Sequence, residues 1–514
     1  GGNPIASLLL GTALSGRILD TDIIDRRSSY YAAFIQDDWK VATNFTLNLG
    51  LRWETHTPRV DANDRQNSFD LFAINPVSNT PGVVTFAGRD GLGSKVYRGD
   101  YNNFAPRIGL AWKPFADRNF LIRSGYGLYY GPPIPSSNTA SAGFETSGDF
   151  TSPDNGVTPA FLVRDGFPAT SPLVLDASFG AVVPGAPVRF APTFIGHDRD
   201  LGYAHQWNLS LQQEFRGNIV AELSYLGNSG HKLPAPDVNI NQIRPELLGT
   251  GTPQLLRPFP QFGNVTLLTP MWGNSNYHGL NVKVEKRFSH GLNFLTNYSW
   301  SKFIDDVASS FEVGAVPAGY QDFYNRGADR SLSGNDVRHR FVASSVYELP
   351  WGRNRKFLRD GVLSTLVGGW NLGGILVAQA GSPYGLVTQV NTSNSFASGP
   401  QRVHVLRDPS LPASERTVSR YFDTTAVVAP APFTFGSSSR ALLTGPGLFS
   451  LDVSLLKNFQ FKESGNVQFR AEATNVTNRT SFEEPGRSLG TATFGVISQA
   501  RPARVLQLGL KVEF

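Results

Sequence analysis

The chain closes on "ARVLQLGLKVEF", residues 503–514, a stretch that alternates without a slip. Leu506, Leu508, Leu510, Val512 and Phe514 take every second position. Val505, Gln507, Gly509, Lys511 and Glu513 take the positions between. Successive side chains of a strand point to opposite faces, so one face here is apolar and the other mostly polar or small. A single amphipathic strand also suits a sandwich with one wet face. The fold is decided by whether the pattern recurs, and by the lengths of the connections.

It recurs. "NFTLNLGLRWE" (44–54) sets Phe45, Leu47, Leu49, Leu51 and Trp53 against Thr46, Asn48, Gly50, Arg52 and Glu54. "HQWNLSLQQEF" (205–215), "GLNVKVEKRF" (279–288), "HRFVASSVYELP" (339–350) and "NVQFRAEATN" (466–475) repeat the arrangement. Weaker versions lie at 30–40, 104–113, 120–130, 218–227, 291–303, 368–380 and 449–459, which makes about thirteen strands, with 5–15 a candidate fourteenth. From residue 30 onward, short or moderate links alternate with long ones at 55–103, 131–201, 228–276, 304–336, 381–448 and 478–502. Short turns on one rim and long loops on the other are the plan of an outer-membrane barrel. A soluble sandwich has no reason to sort its loops so, and long structureless loops are uncommon in compact domains.

The expected fold is therefore all-β, a transmembrane antiparallel up-and-down β-barrel with 13–14 strands in this chain. Residues 1–29 are expected to enter the barrel as an extra strand or an outer loop, and 30–514 to supply the strands. Short turns face the periplasm in such barrels, so the last strand is expected to run inward and leave the C-terminus periplasmic. Bacterial single-chain barrels have an even strand number, and thirteen is odd, which predicts further strands upstream or one uncounted. Aromatics at or near strand ends, among them Tyr30, Trp39, Trp53, Trp112, Tyr129, Trp207 and Trp300, fit belts at headgroup level.

Composition agrees. Of 514 residues, 40% are hydrophobic and 12% aromatic, with 52 Gly and 34 Pro, a strand-and-turn profile. No apolar run reaches the length of a transmembrane helix, which a barrel does not need. The chain has no Cys, so disulfides, thiolate zinc sites and cysteine nucleophiles are excluded. A formal charge of +5 over this length, with no basic block, gives no nucleic-acid groove. The opening "GGNPIASLLL" lacks the basic n-region of a signal peptide. Residue 1 is expected to be an internal point of a longer protein.

Five stretches carry a family resemblance: "YYAAFIQDDWKVATNFTLNLGLRWE" (30–54), "NNFAPRIGLAWKPF" (102–115), "NDVRHRFVASSVYELPWGR" (335–353), "VQFRAEATNVTNRTSF" (467–482) and the terminal "LGLKVEF". The chain resembles TonB-dependent outer-membrane receptors, specifically the Oar-like kind with a carboxypeptidase-regulatory-like N-terminal domain. The resemblance implies a 22-stranded barrel holding a plug, of which this chain is the C-terminal part. It also implies an N-terminal TonB box, a partner in TonB, and insertion by the barrel-assembly machinery, which reads the last strand ending at Phe514. The implied function is capture of cargo by the outer loops and passage through the lumen. Peptide, protein or glycan cargo would suit such receptors. The alternatives are a passive porin closing by itself, with its first strand hydrogen-bonded to 503–514, a surface adhesion or scaffold barrel, and a soluble β-sandwich array.

Candidate lumen residues are Arg52, Glu54, Lys283, Glu285, Arg287, Arg470, Glu472 and Lys511, expected to form cross-strand charge pairs. Leu506, Leu508, Leu510, Val512 and Phe514 are expected to face lipid. "DANDRQNSFD" (61–70) misses the calcium-loop spacing and lacks its Gly. "GLGSK" (91–95) and "GTGTPQ" (249–254) lack the ending of a phosphate loop. His339, between two arginines, reads as a locally hydrogen-bonded residue at a strand start. No nucleophile elbow is present, so an enzyme, cofactor or metal site is not expected.

Overall fold

The computed structural model describes residues 4–21, 23–89, 91–131, 140, 142–152, 157–167, 174–188, 190–307, 315–352, 355–460 and 465–513. Phe514 lies outside them.

Thirteen long strands form one antiparallel meander: β1 (Tyr30–Ala42), β2 (Phe45–His56), β3 (Phe104–Trp112), β4 (Phe120–Tyr130), β5 (Tyr203–Phe215), β6 (Ile219–Pro234), β7 (Met271–Ser289), β8 (Leu292–Asp305), β9 (His339–Glu348), β10 (Trp370–Gln379), β11 (Leu448–Gln460), β12 (Asn466–Thr474) and β13 (Val505–Glu513). Each pairs with the next in sequence, and a short strand, Ser331–Leu332, makes the sheet 14-stranded. Residues 5–15 are not a barrel strand. They hold a short helix, α1 (Pro4–Leu9), and a two-residue bridge, Thr12–Ala13, to Phe161–Leu162. The apolar run of 5–10 has no period-2 alternation, so its pattern alone does not choose between strand and helix. Strands β6 and β7 run further than read, and shorten the loop between them to 235–270.

The register explains why the sheet has two distinct faces. Phe45, Trp112, Ile122, Leu211, Leu223, Val282, Tyr298, Phe341, Ala378 and Phe449 stand opposite one another in turn from β2 to β11. A second such row, Leu292, Tyr347, Leu372, Leu455, Ala471 and Leu508, ends in the terminal strand. One residue over, the row reads Thr46, Ala111, Arg123, Ser210, Ser224, Asn281, Ser299, Arg340, Gln379. A slip of one residue anywhere would put the second kind of row where the first belongs, so the pattern pins the register.

The apolar face is uncovered. Leu49, Ile108, Leu209, Leu223, Val282, Tyr298 and Leu508 keep between 38% and 74% of their surface exposed. An apolar face of that extent on a water-soluble protein would be an aggregation surface; on a membrane protein it meets hydrocarbon. Among the described residues, nothing pairs with the outer edge of β1 or of β13, and the two do not pair with each other. The expectation attached to a self-closing porin, a first strand hydrogen-bonded to 503–514, is not met.

Connections sort as read. The short-turn rim holds 43–44, 113–119, 216–218, 290–291, 349–369 and 461–465. The β7–β8 turn is two residues, His290 and Gly291, with φ of 54° and 78°. Positive φ at both centres matches the right-handed twist of the flanking strands, and Gly291 adopts it without a Cβ penalty.

The opposite rim carries packed structure rather than open loops. Segments 57–103, 131–202 and 235–270 share a core of Phe69, Val84, Phe86, Phe144, Phe179, Phe194, Phe259, Phe262 and Val265. Its rings meet edge to face, Phe69 with Phe259 at 5.2 Å and Phe86 with Phe179 at 5.2 Å. Segments 380–447 and 475–504 share another, of Tyr384, Leu386, Val403, Tyr421, Phe422, Val427, Leu443 and Ile497. Together they form a cap.

Buried amides bind the first core. Asn241 is fully buried; its amide donates to the carbonyls of Phe259 (2.9 Å) and Gly263 (2.7 Å) and accepts from the Phe259 amide (2.7 Å). Asn241→Ala leaves those groups unpaired and is expected to weaken this half of the cap by about 1–3 kcal/mol. Faster protease nicking within 235–270, with the strands still folded, is the readout; unchanged nicking would refute it.

Candidate functional site: the polar face of the sheet

The polar face of β1–β5 holds a depression of about 340 Å³. Gln36, Asn48, Arg107, Gln206 and Asn208 line it, together with Gly50, Gly109, Gly125 and Gly127. The glycines create the hollow. Arg107 stands between Gly50 on β2 and Gly127 on β4, so neither neighbour supplies a side chain to cover its guanidinium. That group lies instead over the ring of Tyr129, at 4.6 Å. A cation stacked on an aromatic face keeps its edge donors available to a ligand.

Above the hollow, Arg52 donates to Glu54 at 2.8 Å and to the Tyr30 hydroxyl at 2.6 Å, and that hydroxyl donates to Glu54 at 2.6 Å. The rest of the wall continues in hydrogen-bonded polar pairs. Arg123 donates to Gln212 (2.9 Å), Ser210 to Glu222 (2.9 Å), and Gln468 to Asn458 (3.0 Å).

The candidate residues fall on this face, but pair differently from expectation. Arg52–Glu54 (2.8 Å), Lys283–Glu285 (3.0 Å) and Lys511–Glu513 are ion pairs along one strand, not across strands. Residues two apart on a strand share a face. Across strands the register sets Lys283 opposite Glu222, whereas Ala105 stands opposite Arg52, Gly509 opposite Arg470 and Gln507 opposite Glu472. Arg470 donates to Gln468 on its own strand at 2.5 Å. Arg287 lies past the β7 bulge at the short-turn rim, where its amide donates to the Asn218 carbonyl at 2.9 Å. Leu506, Leu508, Leu510 and Val512 are exposed along β13.

Sequence reasoning missed Arg107, Arg123, Glu222 and Tyr129. The period-2 alternation of "FAPRIGLAW", "FLIRSGYGLYY" and "IVAELSYLG" marks them, but the glycine hollow depends on three strands meeting in register. Tyr30 and Tyr129, read as headgroup-level aromatics, face the polar side. On the apolar face, hydrogen bonds of 2.8 Å join Tyr126 to His205, Tyr225 to His278 and Tyr298 to His339, across neighbouring strands. His339 is thus bound locally. At 61–70, Asp61 accepts from the amides of Asn63 and Arg65, at 3.0 and 3.1 Å, and so closes its own turn.

Two buried ion pairs fasten the second half of the cap. Arg402 pairs with Asp329 at 2.5 Å, and Arg440 pairs with Asp305 at the end of β8 and donates to the Asp329 carbonyl at 3.1 Å. Burial pushes the Asp329 carboxyl up to about 6, against the pull of Arg402, and holds Arg440 down to about 10.

A family model described as "Outer membrane beta barrel domain" matches residues 1–507. No curated protein matches the chain. Among solved structures it is similar to the ferripyoverdine receptor of the outer membrane of Pseudomonas aeruginosa, at 9% identity and TM-score 0.43, over 96% of this chain and 39% of that one. It is also similar to the FrpB iron transporter from Neisseria meningitidis, at 12% identity and TM-score 0.44, over 95% of this chain and 46% of that one. The outer membrane transporter YddB from Escherichia coli gives 12% identity and TM-score 0.43, over 95% of this chain and 55% of that one. The chain spans between 39% and 55% of the length of these three proteins.

Proposed function

The chain belongs to the outer membrane beta-barrel domain family, and from that premise we propose that it is the C-terminal part of the barrel of a TonB-dependent receptor of the Oar-like kind. In this reading the apolar face meets lipid, the polar face lines the lumen, and the cap captures cargo at the cell surface. The residues lining the lumen are Arg52, Glu54, Lys283, Glu285, Arg470, Glu472 and Lys511, with Arg107 added. The short-turn rim and the C-terminus are periplasmic. A plug and a TonB-contacting segment belong to the rest of the protein.

The observation that carries the reading is the pair of open edges. A sheet edge in hydrocarbon leaves amides and carbonyls unpaired at several kcal/mol each, so membrane barrels close. Strands β1 and β13 each need a neighbour, which further strands of a barrel of about 22 would supply. The sequence resemblance over 30–54, 335–353 and 467–482 supports the receptor subtype.

The test is uptake by cells carrying the full-length protein, with and without TonB. Loss of uptake on removing TonB is expected. Uptake unaffected by that removal counts for a passive porin, and surface binding with no uptake in either strain counts for an adhesion barrel.

A further inference from the structure

The link between β9 and β10, residues 349–369, is long for its rim and contains a helix, α2 (Gly361–Val367). Lys457 fixes where that helix lies. It stands on the apolar face of β11, opposite Trp370, and its ammonium lies 4.5 Å from the Phe459 ring. It donates to the carbonyls of Thr365 and Leu366 at 2.5 and 2.6 Å, and the Trp370 indole donates to Leu366 at 3.1 Å. The end of α2 therefore rests against the outer wall, not under the mouth of the barrel. The chain doubles back tightly to reach it: a Cβ on Gly352 would stand 2.5 Å from the Gly368 Cα.

Ser364 is buried against this support, while Val362 and Leu366 are 77% and 57% exposed. Four residues apart, they share one helix face. Phe357 and Leu358, just before the helix, are half exposed as well. The same stretch is basic: Arg353, Arg355, Lys356 and Arg359 against Asp360 give a net +3 over 351–361. A seven-residue helix with an apolar face turned to water is not stable by itself. Cations beside an apolar helix face are the composition of a segment lying in a membrane interface.

We propose that residues 355–367 are an interfacial anchor in the phospholipid leaflet around the short-turn rim. Phe357, Leu358, Val362 and Leu366 enter the acyl boundary, and Lys356 and Arg359 meet anionic headgroups. This rests on the membrane-barrel reading above. It follows from continuity, since Trp370, Lys457 and Phe459, on which the end of α2 rests, lie on the same apolar face as the exposed Leu372. It follows also from charge, since anionic lipid surfaces attract basic clusters.

The chain has no native Cys, so once any Cys in the rest of the protein is replaced by Ser, single-cysteine variants can be labelled cleanly. Nitroxide is placed at Val362→Cys, Leu366→Cys, Leu376→Cys on the apolar face, and Ser439→Cys in the cap. The full-length protein is reconstituted in phosphatidylethanolamine–phosphatidylglycerol vesicles. Collision rates with oxygen and with a nickel chelate then report immersion. The labels at 362 and 366 are expected to match that at 376 and to lose nickel accessibility relative to that at 439. Lipid-like behaviour at 376 with water-like behaviour at 362 and 366 overturns the anchor and leaves the barrel standing. Water-like behaviour at 376 as well overturns the barrel reading itself. Labels at 362 and 366 shielded from oxygen as well as from nickel mark a protein contact and also overturn the anchor. Lys356→Glu with Arg359→Glu should make the 366 label shallower; an unchanged depth refutes the headgroup contact.

Discussion

Asp329→Ala is expected to release the second half of the cap, at a cost of about 3–5 kcal/mol to that half. The substitution leaves Arg402, with its side chain 4% exposed, facing a cavity in place of its 2.5 Å partner. A buried charge stripped of its counter-charge costs far more than an exposed pair, which contributes about 1 kcal/mol at most. The exposed Arg27–Asp25 pair is the natural control, and Asp25→Ala should change little. Proteolysis of 398–447 in the folded barrel measures the difference. Equal cleavage of the two variants would defeat the assignment. The same carboxyl gives a pH dependence whose sign is fixed by burial. Its folded value, about 6, lies above the ordinary 3.8, so the folded cap binds the proton more tightly than the opened cap. The stabilisation it confers is complete below about pH 4 and is lost as pH rises through about 6. The cap should therefore resist protease better at pH 5 than at pH 7.5, and Asp329→Asn should flatten that difference.

Leu508→Arg is expected to destabilise the folded barrel by about 2–4 kcal/mol, the cost of a cation on the lipid face near the bilayer midplane. Gln507→Arg, one residue away, should be nearly neutral, because it joins the polar face beside Glu472. The contrast matters more than either value, since both variants place the same side chain on the same strand. A refolding titration in lipid vesicles reads it directly. Indistinguishable midpoints would show that the two faces are not in different solvents, and the membrane assignment would fall with them.

The strand plan was legible in the sequence because each strand carries its own alternation. Leu47, Leu49 and Leu51 need no partner to declare a face. Sorting short and long links added the topology. The cap was not legible. Phe69, Phe86 and Phe262 sit far apart in the chain, and no local period announces that they meet. Their partners are set by which strand ends stand side by side, a property of the sheet's register. Helix α1 was misread for a related reason: "IASLLL" is apolar at consecutive positions, and a short apolar run does not choose between helix and strand. The Arg107 hollow was half visible, since its glycines could be read but not their convergence.

The cap divides along the wall. Loops from β2 to β7 build one hydrophobic body, and loops from β8 to β13 build most of the other. They touch where the Ile243 amide donates to the Ser395 carbonyl at 3.0 Å and the Asn239 amide donates to the Ser398 hydroxyl at 2.6 Å. Ala235 and Val238 pack against Val307 and Tyr320 across the same seam, and the Gln242 amide donates to Asp322 at 2.8 Å, so the connections form one roof rather than six separate fingers. Deleting one connection would unroof its neighbours, so natural variation should gather on the exposed tips of the cap and spare the ring stacks beneath.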